Sequence, residues 1–480
     1  MEFSLNFFKQ TITIHLAVIF FFLSLLFYSS LLSVVGDFSF RYDESWYSLM
    51  VQEFSENPLM VIPTLTGESV EWKPPLFFWL YSAFYLLFKN LPFSQELIMR
   101  LPSAIFTSAA VSMFFVLANQ LYNRRVAIIS TLLFMTVPLI LFSAVNVMAE
   151  AISLLFIVSS MYFYVSRKFS IGSIFLALLI LTKWLYVIAP LLFIVTYYLK
   201  DRELPKILLT FISIPLALMF YLCLSFLFGN IDNSLMNLTL DISRPVPNFN
   251  LANTLVFYLI AFMVLLPFPI LFIYLIIFSK ANLWEERSLI ALSVLAFILP
   301  LSQHFMSWYL ILAIPGLVLL VSKRLSGLEP NILLSIVVAG LMIVNILIFF
   351  SLPYSFTSFD GIEEVALFMK NKSVYFVEPD PFYSNWQTIN DNYIGTNQSY
   401  LLLEQLNNGF LFYRFHDSKD YYNVHPVFIQ NNGSIPCGDY LIVHTDSFYN
   451  ISVAVPDCYK KLRNNSFYDI YTGNLDFSGN

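Results

Sequence analysis

Hydrophobic residues fall along this chain in long runs joined by short polar segments. Runs near 11–35, 97–121, 126–145, 150–166, 169–183, 184–200, 206–228, 253–278, 288–302, 305–322 and 330–351 are predicted to be helices that cross a hydrocarbon core of about 30 Å at about 1.5 Å per residue. That makes eleven crossings, although 169–183 with 184–200 also reads as one broken hairpin. The first run is longer than a signal-peptide core of about 7–15 residues, so it is expected to stay as an anchor. A further apolar run, 74–88, is shorter and opens on Pro74-Pro75.

The placement of the basic residues orients the crossings. If 74–88 does not cross and the N-terminus is cytoplasmic, then Lys9, Arg124-Arg125, Arg167-Lys168, Lys200, Arg202, Lys206, Lys280, Arg287 and Lys323-Arg324 share the cytoplasmic side. These are 12 of the 18 basic residues before position 352, and a crossing at 74–88 would turn nearly all the pairs outward, against the positive-inside bias. Segment 74–88 is therefore expected to be an interfacial helix on the outer leaflet, with Trp79, Tyr81 and Tyr85 at headgroup level. The outer segments are then 36–96, 229–252 and everything after 351.

Composition agrees with a polytopic membrane protein. Of 480 residues 58% are hydrophobic and 12% charged, with mean hydropathy +0.72. Soluble domains carry about 25% charge. So apolar a chain cannot cover an aqueous surface, which excludes a cytosolic enzyme, a disordered protein and a nucleic-acid binder with a basic face. The net charge of -6 adds little, because it sums over two compartments.

At about residue 352 the chain becomes rich in Asn, Asp, Tyr and Ser. Residues 1–351 thus read as a membrane domain and 352–480 as an extracytoplasmic α/β domain, with a helix-like segment at 361–370 and strand-like segments at 374–378 and 440–444. Cys437 and Cys458 lie 21 residues apart there and could form a disulfide worth about 3 kcal/mol. Cys223, within a spanning run, is expected to be a small core residue. Sequons stand at Asn371, Asn397, Asn432, Asn450 and Asn464, with a sixth at Asn237. An Asn-rich segment also generates such triplets by chance.

Few charges remain outside the cytoplasmic joints. The first outer segment holds Arg41-Tyr42-Asp43-Glu44-Ser45-Trp46-Tyr47, then Glu68, Glu71 and Lys73 before the double proline. Taken alone, such a cluster is a solvated loop end whose acids cap an interfacial helix. Glu150, Lys183 and His304 shift that balance, since all three fall at the outer ends of spanning runs. An ionisable group at membrane depth costs about 2.5 kcal/mol or more and faces a cavity or a partner unless it snorkels out. Snorkelling suits Lys183, is an even alternative for His304, and suits Glu150 least. Carboxylates and fixed cations gathered at one leaflet suit a lipid-linked phosphate donor with its tail in the bilayer. Sugar transfer from it needs a base for the acceptor hydroxyl, Asp43 or Glu44, and positive charge for the leaving phosphate, supplied by Lys73.

At these residues the chain resembles the GT-C class of membrane glycosyltransferases, in particular the branch of the protein O-mannosyltransferases and lipid A aminoarabinose transferases. The likeness rests on Asp43-Glu44-Ser45-Trp46-Tyr47 (DE-x-x-Y), Lys73-Pro74-Pro75-Leu76-Phe77-Phe78-Trp79 (K-P-P-L-x-x-W) and Arg100-Leu101-Pro102-Ser103 (R-x-P-S), and extends loosely through Trp308-Tyr309 and Pro315. It implies inverting transfer from a polyprenyl-phosphate sugar at the outer face, with Asp43 as general base. Glu150 stands where the family usually has a second Asp, which would make it a second catalytic carboxylate that orients the acceptor or Asp43, and Val145 stands where an Arg is often found. By the same likeness Lys73, Lys183 and Arg100 would contact the donor phosphate, while His304, Trp46 and Tyr47 would serve an acceptor or secondary site. No cofactor is assigned: two separated carboxylates without a His cluster are a weak ligand set for a divalent metal. The W-W-D-Y-G stretch of oligosaccharyltransferases is absent from the sequence.

The implied partners are a polyprenyl-phosphate sugar, a hydroxyl-bearing acceptor on protein, lipid or glycan, and membrane lipids, in a plasma or endoplasmic-reticulum membrane. A flippase for lipid-linked saccharides is the main alternative. Against it stand charges at one leaflet instead of the midplane and the lack of paired halves. A non-catalytic glycan-binding receptor would leave the charges of the first outer segment without a role.

Overall fold

The computed structural model describes residues 2–35, 42–56, 61–65, 68–69, 74–199, 203–228, 265, 267–278, 286–298, 307–329 and 331–351, and strands at 374–377, 424–427, 440–444, 459–464 and 468–473. Contacts divide the chain into two units, Met1–Gly36 with Met50–Ser355, and Asp37–Leu49 with Phe356–Asn480.

The apolar runs become helices. In chain order these are α1 (Glu2–Val35), α2 (Tyr42–Glu56), α3 (Leu76–Phe88), α4 (Gln95–Leu121), α5 (Arg124–Phe134), α6 (Pro138–Val145), α7 (Ala149–Val165) and α8 (Phe169–Lys183). There follow α9 (Ile188–Tyr197), α10 (Leu204–Thr210), α11 (Ser213–Phe228), α12 (Phe268–Phe278), α13 (Arg287–Ile298), α14 (Ile314–Leu325) and α15 (Asn331–Ser351). Among the described residues five helical stretches are long and apolar enough to cross a membrane, or six if α5 and α6, bent by 63°, count as one. Eleven were expected; α7 and α13 fall short of that length, and half of the 253–278 run lies outside the described residues. The break between α5 and α6 follows from Pro138, which lacks the N–H that would continue the ladder.

One of the five, Phe169–Tyr197, is a hairpin. A straight helix of its 29 residues would hold its ends about 43 Å apart. Instead the Phe169 and Tyr198 rings lie 6.0 Å apart, and Tyr198 donates to the Tyr164 carbonyl at 2.7 Å. The reversal is at Lys183, where φ is -158° and ψ 88°, followed by a 3-10 turn over Trp184–Val187.

Arg125, Arg287, Lys323 and Arg324 gather at one end of the helical unit. Asn119 bonds Thr13 there, so α1 and α4 run antiparallel, with Ser112 on the Ala17 carbonyl one step further in. Beyond Tyr122, Arg125 donates to the Leu328 carbonyl and Asn331. Glu286, its side chain 5% exposed, pairs with Lys323 at 2.5 Å and Arg324 at 3.3 Å. Lys323 stands 4.9 Å from the Tyr122 ring centroid, and Arg287 donates to the carbonyls of Thr196 and Tyr197 that end α9. Burial pushes the Tyr122 phenol well above its ordinary range; Glu286 adds to this and Arg324 opposes it.

Close packing depends on small residues. A Cβ on Gly316 of α14 would lie 2.6 Å from the Leu289 carbonyl of α13, so only glycine permits that approach. Cys223 is exposed on α11, not in a core as expected; a thiol is apolar enough for an outward, lipid-type face.

In the second unit the described strands form a five-stranded sheet in the order β4-β3-β5-β7-β6, with β3 Val374–Val377, β4 Val424–Val427, β5 Tyr440–His444, β6 Tyr459–Asn464 and β7 Tyr468–Gly473. Strand β3 is parallel to β4 and β5, and β7 is antiparallel to β5 and β6. Pro426 falls on the edge strand β4, where its missing N–H is tolerated. Two short strands, β1 (Thr64–Leu65) and β2 (Glu68–Ser69), form a hairpin in the first unit. The 361–370 segment, Cys437, Cys458 and five of the six sequons lie outside the described residues, while Asn464 closes β6 opposite Asp469.

Candidate functional site

The end of the helical unit opposite Arg125, Lys323 and Arg324 is organised around Glu150. It lies in the first turn of α7, about 21 Å along that helix from Tyr164. Its approach is the extended strap Asn146–Met148 between α6 and α7, where Asn146 closes α6 by donating to the Phe142 carbonyl at 2.8 Å. A helix N-terminus favours a carboxylate.

Glu150 is wholly buried, and its Oε1 accepts from the Lys183 ammonium and from the Tyr186 hydroxyl at 2.9 Å. Its Oε2 has no hydrogen-bond partner among the described residues. Lys183, the last residue of α8, is 16% exposed, so it is held inward instead of snorkelling as expected. The buried carboxylate explains this, because an ammonium beside it loses more by leaving than water returns. The Lys183 Nζ stands 4.5 Å from the Tyr186 ring centroid and 5.2 Å from that of Tyr309, two rings set edge to face at 6.0 Å. The ammonium is thereby fixed on three sides.

The strap is tied to α3 and α4. Ser103 donates to the Asn146 carbonyl at 2.6 Å and lies 2.8 Å from the Tyr81 hydroxyl, which donates to the Met148 carbonyl at 3.3 Å. Burial pushes the Tyr81 phenol well above its ordinary range; its bond to Ser103 opposes the shift and the Glu150 carboxylate adds to it. Tyr81 therefore remains a proton donor at neutral pH.

Other residues singled out from the sequence are placed as follows. The first outer segment is not all loop: Asp43, Glu44, Trp46 and Tyr47 lie in the opening turns of α2, where acids favour the helix dipole. Glu44 and Tyr47 are each 3% exposed, while the side chains of Asp43 and Trp46, like Lys73 and His304 altogether, lie outside the described residues. Arg100 is buried at 2% exposure on α4, one turn before Ser103. The sequence alone does not mark Tyr186, Tyr81 and Ser103 as site residues, although Ser103 belongs to the R-x-P-S stretch and Tyr186 follows Lys183 by three positions. Glu53 of α2, buried and accepting from Thr64 at 2.6 Å, was also missed. Among the described residues no three metal-binding side chains come together.

No protein-family model matches the sequence, and no curated protein does. Among solved structures the fold is that of GT-C membrane glycosyltransferases. ArnT from Cupriavidus metallidurans bound to undecaprenyl phosphate aligns over 98% of this chain and 99% of its own, with TM-score 0.55 and 14% identity. Apo ArnT gives 0.53 and 16%, over 75% of this chain and only 64% of its own. The oligosaccharyltransferase AglB from Archaeoglobus fulgidus, in complex with an inhibitory peptide and a dolichol-phosphate, gives 0.52 and 13%, over 91% and 70%. At such identities the likeness establishes the fold.

Proposed function

We propose that this protein is a membrane glycosyltransferase that moves a sugar from a polyprenyl-phosphate carrier to a hydroxyl acceptor at the outer membrane face, with inversion at the anomeric carbon. The observation that carries this reading is the buried Glu150–Lys183 pair, backed by Tyr186 and Tyr309, in a fold shared with ArnT. The bound carriers of the two neighbours, undecaprenyl phosphate in ArnT and a dolichol-phosphate in AglB, support a prenyl-phosphate donor.

In this reading Asp43, assisted by Glu44, takes the acceptor proton as the hydroxyl oxygen attacks the anomeric carbon and the bond to the phosphate oxygen breaks. The prenyl phosphate leaves with the bonding electron pair, and Lys183, Lys73 and Arg100 stabilise the charge it gains. Glu150 acts on Lys183, holding its ammonium where that charge develops. Trp46, Tyr47 and His304 line the acceptor side. The end carrying Arg125, Lys323 and Arg324 faces the cytosol.

Mass analysis of lipid-linked sugars and glycans in cells lacking the protein tests the reading. Accumulation of one prenyl-phosphate sugar with loss of one glycan product is expected, and unchanged profiles overturn it. Asp43→Asn should abolish transfer while dolichyl phosphate and undecaprenyl phosphate still bind; a flippase or receptor would be barely affected.

A further inference from the structure

The break between α5 and α6 is served by side chains from two helices distant in sequence. Tyr28 of α1 donates to the Met135 carbonyl at 3.0 Å, and Asn345 of α15 donates from Nδ2 to Thr136 Oγ1 at 3.2 Å. Thr136 in turn donates back to the Leu133 carbonyl at 3.0 Å. Tyr28, Thr136 and Asn345 are each 0% exposed. Thr136 lies about 16 Å along α5 from Arg125, Tyr28 about 22 Å along α1 from Thr13, and Asn345 about 21 Å along α15 from Asn331. These depths are well inside a hydrocarbon core of about 30 Å, where no bulk water replaces a lost donor. The first and last described helices of this unit thus both spend a polar side chain on the same break.

What lies beyond the break gives it a further role. Helix α6 is a stiff arm of eight residues that runs without a joint from Pro138 to the Asn146–Met148 strap, and Glu150 follows two residues later. Over such an arm of about 12 Å, a 10° change in tilt moves the far end by about 2 Å. We infer that Tyr28 and Asn345 are positioning residues: by fixing the bend at Met135–Thr136 they set where α6 delivers the strap, and with it Glu150 and the ammonium that Glu150 holds. The link to turnover rests on the glycosyltransferase reading, whereas the link to the strap does not.

Amide hydrogen exchange on the full chain in lipid nanodiscs tests the inference, comparing Tyr28→Phe and Asn345→Leu with wild type. Both variants keep the bulk of the side chain and remove the donor. Exchange over residues 146–150 is expected to rise about tenfold while α4 and α14 keep their protection. Tyr164→Phe, which removes a buried tyrosine's 2.5 Å bond to Thr210 at the other end, should leave 146–150 unchanged. An unaltered strap in both variants, or a rise spread evenly over the bundle, overturns the inference and leaves the two residues as plain caps of a broken helix. In a transfer assay the same variants should lower kcat about tenfold or more with KM for the donor unchanged, since misplacement by about 1 Å is costly in a preorganised site. Strap loosening in a protein that transfers no sugar would sustain the positioning role and defeat the enzymatic reading, so the two fail separately.

Discussion

Glu150 and Lys183, thirty-three residues apart in the chain, meet in a single ion pair in which the carboxylate is fully buried and the ammonium nearly so. Neither partner tolerates loss of the other. Lys183→Met is expected to cost about 3–5 kcal/mol, because it strands a buried carboxylate, and Glu150→Gln combined with it should recover most of that loss. Thermal unfolding of the single and double variants measures the coupling. Binding of undecaprenyl phosphate should be weakened in both, since both lack the ammonium.

Tyr186 gives Glu150 its second bond to Oε1. Tyr186→Phe removes the hydroxyl and leaves the ring beside Lys183, so a loss of about 1.5–3 kcal/mol is expected, the range for a hydrogen bond to a charged group. Chemical denaturation against wild type reads it, and a change under about 0.5 kcal/mol would mean that the bond contributes nothing net.

At the opposite end Glu286 holds Lys323 and Arg324, whose side chains are 30% and 32% exposed. Glu286→Gln should destabilise by about 1–3 kcal/mol, between the values for exposed and buried pairs. Affinity for dolichyl phosphate, titrated on the same variant, should stay at the wild-type value because this cluster is remote from Glu150.

Gly316→Ala places a methyl group 2.6 Å from the Leu289 carbonyl, with Leu292 and Ser293 also within 3 Å. Helices α13 and α14 must then part, at an expected cost of about 1–3 kcal/mol. Loss of thermal stability checks it, and Gly340→Ala, where no neighbour lies within 4 Å, is the control.

The raised phenol of Tyr81 fixes the sign of an alkaline effect. A group whose folded pKa lies above its unfolded value keeps its full contribution below the unfolded value, about 10 for tyrosine, and loses it as pH rises toward the folded one. Stability attributable to Tyr81 should therefore be flat from pH 7 to 9 and fall above pH 10. The slope above pH 10 should be shallower in Tyr81→Phe when melting temperature is followed against pH.

Helices were legible in the sequence because a lipid-crossing chain must satisfy its backbone locally and declare itself by apolar length. The hairpin at Lys183 was legible only as an alternative, since Leu-rich runs on either side carry no period that marks a reversal. Glu150 and Lys183 were each found as charges out of place, but not as each other's partner, for pairing across thirty-three residues is a tertiary fact. The sequence marks Tyr81 only as a headgroup-level anchor and does not mark Tyr186 at all, because an amphipathic ring at a membrane boundary is ordinary and only the hydroxyl's partner separates a site residue from an anchor. Helix α2 is hard to read from the sequence because its opening, Tyr42 to Tyr47, mixes two acids and a Ser with aromatic rings and carries no apolar run.

Consecutive helices α7 and α8 carry the two halves of the Glu150–Lys183 pair, joined by a turn at Ser166–Lys168. During biogenesis they can therefore leave the translocation machinery as one preassembled hairpin whose opposite charges already cancel. The outer end of that hairpin would then enter hydrocarbon as one neutral Glu150–Lys183 pair in place of two separate ions, while Arg167 and Lys168 stay behind at the turn, so the contact proposed to serve turnover should also lower the barrier to making the protein.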